Sequence, residues 1–402
     1  MPIVSAVVET ATTGLRGYVV VDSLVGGRAM GGTRMTPTVS PRELAGLARQ
    51  MTLKLALAGL PIGGAKAGIV AAHTTGSQRE AQVRSFGRAV APLLHGGVYL
   101  GTDQGVTYSD RAAMFDAAGY RIESTDPGRR LPCTWADLWD RCAGVTGHGV
   151  AEAAMVAVEQ LGLAAGRPPR VAIQGFGTVG RGTAKRLAAA GYRIVGVADH
   201  LGTLSAPGGL PLDTILAATD KAGTIDRSLV PRDVLRSSAP DAWLDVDADV
   251  LVLAAVGHAV RADNVARVRA AVVVEGANEP CTDEAIAALA VLGVPVVPGI
   301  VANCGGAMVT GLVLTGGVPA TDEAALLCAW LHDRVATHVR GVLLDLFEVS
   351  RGDGRSLPDL AVHMAEERAI AATAGPGATP TTEPAEPATL TSLSTVPTTP
   401  SI

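Results

Sequence analysis

Two lysines and one aspartate are the residues of this chain whose types and settings could do chemistry. Lys54 sits amid Leu53, Leu55, Ala56 and Leu57, and Lys66 lies in Gly63-Gly64-Ala65-Lys66-Ala67-Gly68. Burial lowers a lysine's pKa, so an ammonium in such surroundings becomes a base, or a group that polarises a carbonyl, near neutral pH. The plainer reading of each is a lysine that snorkels to solvent. That reading is weaker at Lys66, where flanking glycines leave room for another molecule. Asp103, in YLGTDQGVT, follows an apolar run and stands beside glycines. Its position suits a proton-carrying carboxylate, and equally a turn or a helix cap.

A second signal lies far from these residues. VAIQGFGTVGRGTAKRLAAAGYRIVGVADH carries Gly175, Gly177 and Gly180 in GxGxxG spacing, with Thr178 and Val179 between them. The spacing alone says little in a glycine-rich chain, but here a strand-like run precedes it and a helical one follows. The first glycine permits a tight turn, the second lets backbone approach a pyrophosphate, and the third allows close helix–strand packing. Free N–H groups at the helix start attract the anion. Asp199 ends the next strand, where it can accept hydrogen bonds from a ribose diol and repel a 2′-phosphate; this favours NAD, with NADP not excluded. Ala254 and Ala255, ending a later apolar run, are also placed at the cofactor. The alternative is a turn-rich βαβ unit with no ligand.

These residues must be positioned by ordinary α/β elements. Apolar runs at 17–22, 95–100, 170–174, 193–198, 249–255, 271–275 and 294–297 read as strands. Helical spacing covers 41–60, 149–165, 178–190, 282–291, 322–349 and 358–373, with Ser40 and Pro41 as a start signal. Strands alternating with helices imply a parallel, doubly wound sheet. Lys66 is read as part of a glycine-rich turn. Residues 121–142, with Pro127, Gly128 and Pro132, read as a crossing between domains. The segment 371–402 holds nine threonines and six prolines, which cannot bury a core and is expected to be disordered.

Composition narrows the partners. Of 402 residues, 33 are Lys or Arg and 38 Asp or Glu, for a net charge of −5, which disfavours nucleic acid and anionic membranes as partners. The uncharged stretch between Glu284 and Asp322 is broken by prolines and glycines, so it reads as buried core and not as a membrane span. No signal peptide is apparent, and a soluble cytoplasmic protein is expected. Five cysteines with no CxxC pair suggest neither a disulfide framework nor a structural zinc site, and no metal is expected. Cys304 has no partner base in sequence and reads as packing.

Taken together, the motifs carry a resemblance. GGTRM at 31–35, MTLK at 51–54, GLPIGGAKAGI at 59–69, TDQGVT at 102–107, TGHGV at 146–150, QGFGTVG at 174–180, EGAN at 275–278 and VPGIVANCGGAMVT at 297–310 occur in one order. In these segments the chain resembles the glutamate/leucine/phenylalanine/valine dehydrogenases, over about residues 15–370. The resemblance implies an N-terminal α/β substrate and oligomerisation domain (1–142) and a C-terminal Rossmann-type dinucleotide-binding domain (143–320). Helices at 321–370 would pack back on the first domain, ahead of the tail. It also implies NAD(P)-dependent oxidative deamination of an L-amino acid to its 2-oxo acid and ammonia. Lys54 would bind the α-carboxylate, Lys66 would activate water, and Asp103 would shuttle protons. Thr146, Asn278 and Asn303 would lie at the nicotinamide end of the cofactor.

Met30, Gly31, Ala307 and Thr310 would line the side-chain pocket. Glutamate enzymes carry a lysine where Met30 stands, so a neutral side chain is expected. Glutamate with another cation, Arg28 being near, is the alternative. A non-catalytic nucleotide- or amino-acid-binding relative is a further one, although Lys54, Lys66 and Asp103 are all present. A 2-hydroxy-acid dehydrogenase would want a His–carboxylate pair, and neither His148 nor His258 has a partner in sequence. A homo-oligomer is expected, of unassigned order, since the helical extension of hexameric glutamate dehydrogenases is missing.

Overall fold

The computed structural model describes residues 2–71, 76–122 and 131–373. Two sheets organise them. The first has the order β1-β2-β4-β3-β5, built from β1 (Val4–Thr10), β2 (Leu15–Val21), β3 (Ala29–Thr36), β4 (Gly63–Val70) and β5 (Val98–Thr102). β2 runs antiparallel to both β1 and β4, whereas β4, β3 and β5 are mutually parallel. β4 is GGAKAGIV with all but its last residue buried, so Lys66 lies in a central strand. The expectation of a turn there is corrected. Glycine and alanine are poor strand formers, but between two neighbours a backbone without bulky side chains packs closely.

Helix α1 (Pro41–Leu57) begins where Ser40 accepts a hydrogen bond from the Glu43 backbone N–H at 3.3 Å, with Pro41 in the first turn. It buries Leu44, Leu47, Ala48 and Leu55 against the sheet, which turns Lys54 toward the neighbouring unit. α2 (Gly76–His95), α3 (Tyr108–Ala118) and α4 (Trp135–Arg141) follow. The sequence reading assigned none of these three, nor β1 and β3. α3 is set by a reciprocal capping box between Thr107 and Asp110. Of the expected crossing at 121–142, residues 123–130 lie outside the described residues, and 135–141 are helical.

α5 (Val145–Gln160) leads into the second sheet, ordered β12-β11-β10-β6-β7-β8-β9. Its strands are β6 (Arg170–Gln174), β7 (Arg193–Asp199), β8 (Gly202–Ser205), β9 (Leu235–Ser237), β10 (Ala248–Leu253), β11 (Ala270–Glu275) and β12 (Val296–Val297). Five of them form a parallel set, as the alternation implies, and β8 and β9 add an antiparallel edge. α6 (Thr178–Ala189), α7 (Leu212–Ala217), α8 (Asp283–Val291), α9 (Gly299–Ala302) and α10 (Gly305–Leu314) connect or flank these strands.

The last two helices, α11 (Ala324–Asp353) and α12 (Leu357–Thr373), return toward the first sheet. α12 reaches α1, where Arg368 donates to the Leu57 carbonyl at 2.6 Å and Arg49 pairs with Glu366 at 2.9 Å. The tail expected at 371–402 falls outside the described residues from 374 onward; 371–373 close α12. Among the described residues no helix is long and apolar enough to cross a membrane.

Candidate active site

A cleft of about 390 Å³ opens between the two sheets. Its floor comes from the first. Lys66 on β4 is 5% exposed, and its Nζ lies 2.8 Å from Asp103 Oδ2. Arg34 on β3 donates to the same carboxylate at 2.9 Å and to Glu43 at 2.7 Å. Burial alone would raise the Asp103 carboxyl, but the Lys66 and Arg34 cations outweigh it and hold it at about 2. Asp103 is therefore ionised at neutral pH. Gly31 is needed here, because a Cβ on it would sit 1.6 Å from the Ala65 carbonyl oxygen.

Lys54 projects from α1 across the cleft. Its Nζ donates to Asn303 Oδ1 at 2.6 Å and reaches Asn278 Oδ1 at 3.4 Å. Burial first, then repulsion from Lys66, lower its pKa to about 8. Asn303 follows α9, and its amide is fixed by donation to the Ala277 carbonyl at 2.8 Å. Thr146, in the first turn of α5, accepts from the Gly306 N–H at 3.1 Å. Thr310 donates back to the Gly306 carbonyl at 3.0 Å. Its hydroxyl proton is thus spent within α10. Met30, Ala307, Val179, Ala254 and Ala255 complete the expected lining.

The glycine loop stands at the point where the strand order reverses, since β6 has β7 on one side and β10 on the other. Gly175 takes a φ of +92°, and a Cβ on it would lie 2.6 Å from the Ala255 nitrogen. A Cβ on Gly180 would lie 1.9 Å from the Gly175 carbonyl oxygen. On Gly177, by contrast, a Cβ would meet nothing within 4 Å. Gly175 and Gly180 are thus packed tight, while Gly177 leaves a cradle that a side chain would fill. Gly177 caps α6 without a side-chain hydrogen bond, so the amides that Thr178 and Val179 begin are free for an anion. These residues fit a pyrophosphate.

Comparison with known proteins agrees with this geometry. The Glutamate/Leucine/Phenylalanine/Valine dehydrogenase description matches residues 141–323, and its dimerisation domain matches 4–118. The chain is 36% identical over 311 residues to an NADP(+)-dependent glutamate dehydrogenase of Pyrobaculum calidifontis, covering 74% of this chain and 71% of the relative. It belongs to the Glu/Leu/Phe/Val dehydrogenase family. The catabolic NAD-specific glutamate dehydrogenase RocG of Bacillus subtilis is 31% identical, over 80% of this chain and 74% of its own length. The hetero-hexameric glutamate dehydrogenase of Thermus thermophilus in its leucine-bound form superposes with a TM-score of 0.73 at 28% identity, covering 94% and 91%.

Within this family frame Asp199 is the residue that departs from expectation. It ends β7, but its carboxylate is turned inward. It pairs with both guanidinium nitrogens of Arg227, one at 2.6 Å, and accepts from the Leu201 and Ile225 backbone N–H groups at 2.8 Å each. The side chain is 3% exposed, so in this arrangement it has no free edge for a ribose. Arg227 comes from a loop 28 residues downstream, and no local pattern announces the pairing.

Sequence reasoning missed three more residues at or beside the cleft. Arg34 lay in plain view within GGTRM, but nothing local to that motif signalled its tie to Asp103, 69 residues away. Arg111 and Trp139 sit on α3 and α4, which were not assigned. Arg28, the cation suggested near Met30, forms a bridge with Val25 and is not among the residues lining the cleft. Cys304 is 1% exposed, touches Met308 at 3.5 Å, and burial pushes its thiol up to about 12, which suits packing.

A pH profile follows from Lys54. Its ammonium is lost as pH rises through about 8, and with it the charge that would hold an α-carboxylate. For a 2-oxo acid, which has no titration of its own in that range, kcat/KM should fall by up to about tenfold per unit well above pH 8. A profile flat to pH 10 would remove Lys54 from the carboxylate's reach.

Proposed function

We propose that the protein oxidatively deaminates an L-amino acid to the 2-oxo acid and ammonia, reversibly and with NAD(P). The observation that carries this reading is the convergence of Lys54, Lys66 and Asp103 on one cleft beside the glycine cradle. Bound nicotinamide supplies the acceptor for the hydride that leaves the substrate α-carbon. Lys54 anchors the α-carboxylate, exchanging Asn303 and Asn278 for it. Lys66 polarises the α-carbon's nitrogen or oxygen substituent and orients water. Asp103 takes the proton from the amino group or from water, and Arg34 keeps it aimed. A non-catalytic relative would have no use for this constellation. The matched dimerisation domain supports assembly into an oligomer.

Two features bear on the substrate side chain. Met30 offers a thioether where glutamate enzymes place a lysine, which favours an uncharged side chain. Arg111 favours the second reading, a side chain that carries a carboxylate. It is 6% exposed and lines the same cleft, and among the described residues it forms no ion pair. It stands beside the Tyr99 hydroxyl and over the Tyr108 ring, 5.4 Å from the centroid. Tyr99 is the cross-strand partner of Met30. A permanent cation therefore reaches the wall where Met30 fails to supply one. Among the described residues this buried guanidinium has no counter-ion, an arrangement that costs several kcal/mol and that a substrate carboxylate would relieve. The deciding assay is kcat/KM over a panel of acidic and neutral L-amino acids with NAD and NADP. No reduced cofactor with any of them would sink the proposal.

The cofactor preference has its own test. With Arg227 neutralising Asp199, repulsion of a 2′-phosphate is largely cancelled, so NADP should be used alongside NAD. Arg227→Met should free the carboxylate and shift the NAD/NADP ratio of kcat/KM toward NAD by about tenfold, the scale of one lost charge contact. An unchanged ratio would take Arg227 out of the cofactor site.

A further inference from the structure

Five free cysteines were read from the sequence as unconnected, yet the fold gathers some of them. Cys142 caps the C-terminus of α4, and Cys328 and His332 occupy one face of the first turns of α11. The Cys142 and Cys328 sulfurs are 3.5 Å apart, and Cys328 Sγ lies 3.6 Å from His332 Nδ1. All three ligand atoms lie within 4.8 Å of one another. From a helix alone, the Cys328–His332 contact follows from four-residue spacing. Cys142 does not: it arrives from 186 residues away.

We propose that Cys142, Cys328 and His332 bind a zinc-class divalent ion that staples the junction between α4 and α5 to α11. The distances suit it. Zinc–sulfur bonds of about 2.3 Å and zinc–nitrogen bonds of about 2.0 Å in a tetrahedron place neighbouring ligand atoms roughly 3.5–3.8 Å apart. Cys133, part-exposed just ahead of α4, lies near both thiols and is the candidate fourth ligand. Binding replaces the Cys142 and Cys328 thiol protons, which go to solvent, and those two thiolates balance the ion's charge; Cys133, where it joins, releases a third proton and leaves the site with one net negative charge. His332 ligates through Nδ1, giving up its 2.9 Å contact with the Cys328 carbonyl and carrying its proton on Nε2. Its ring is already held edge-on by His148, with centroids 5.1 Å apart.

The site's place in the fold gives it a structural role. Trp139 and Thr146, which line the reaction cleft, flank Cys142 on α4 and α5. None of the three ligands lines that cleft, so the ion would hold the wall without touching substrate.

The test uses the full chain, purified reduced and without chelator. Metal content should be about one zinc per chain. Cobalt(II) should give the intense thiolate charge-transfer and tetrahedral d–d absorption of an S/N site. Zinc should raise Tm by several degrees in a concentration-dependent way. Cys142→Ser and Cys328→Ser should each abolish the cobalt spectrum and the shift, Cys133→Ser should weaken them, and Cys281→Ser should leave them alone. Cys328 is part-exposed, so its variant is the one least prone to misfold. The proposal is overturned if cobalt gives only the weak octahedral spectrum, if Cys142→Ser and Cys328→Ser bind as the parent does, or if Cys142 and Cys328 are found joined as a disulfide in protein isolated from a reducing cytosol.

Discussion

Lys66→Ala and Asp103→Asn should each lower kcat by about 10²–10⁴, the loss expected when a positioned acid or base is removed. At 1.36 kcal/mol per decade this is about 3–5 kcal/mol of transition-state stabilisation. The two groups are in contact at 2.8 Å, so they act as a unit, and the double variant should fall little below the worse single one. The variants differ in mechanism. Lys66→Ala removes a buried cation and leaves Asp103 paired with Arg34 alone. Asp103→Asn keeps the shape but removes the proposed proton acceptor, and leaves Lys66 without its carboxylate partner. Dinucleotide affinity should hardly change, because the glycine cradle is built from other segments. Single-turnover rates with saturating cofactor are the measurement. Near-normal turnover by either variant would remove it from the chemistry.

The second large effect is expected at Arg111. If it holds a substrate carboxylate, Arg111→Met should cut kcat/KM for the acidic substrate by about 10²–10³, since truncating one partner of a buried charge pair costs about 2–5 kcal/mol. Neutral substrates should be unaffected, or improve as the wall becomes apolar. Arg111→Lys should recover part of the loss, as a point charge lacks the guanidinium's two-pronged fit to a carboxylate. The natural protein decides between the two readings of the pocket first. Should a neutral amino acid exceed glutamate and aspartate, and Arg111→Met leave that order intact, Met30 sets the specificity and Arg111 supports Tyr99 and Tyr108 only. Met30→Lys then becomes the informative variant, expected to move the ratio toward glutamate.

Much of this molecule is written in local patterns. The strand–turn–helix around Gly175, Gly177 and Gly180 was legible because each glycine answers a requirement within a few residues of itself. The same holds for α1, whose start is announced by Ser40 and Pro41. Lys54, Lys66 and Asp103 were recognisable as a set because each sits in its own short motif. Local patterns misjudged Lys66's own element, since GGAKAG reads as a turn until two flanking strands exclude water from it. They also passed over α3 and α4, and with them Arg111 and Trp139. What remained belongs to tertiary structure for a single physical reason: charge and ligand pairs are made by atoms close in space, whatever their separation in sequence. Asp199 looked free until Arg227 came across from a downstream loop to neutralise it. Met30 was read without its neighbours; β5 sets Tyr99 beside it, with Arg111 behind. Cys142 and Cys328 were two solitary thiols until α11 packed against α4. The sequence by itself determined the family, the glycine-loop pattern and the candidate reacting groups; the packing of separate segments decided which charges those groups face.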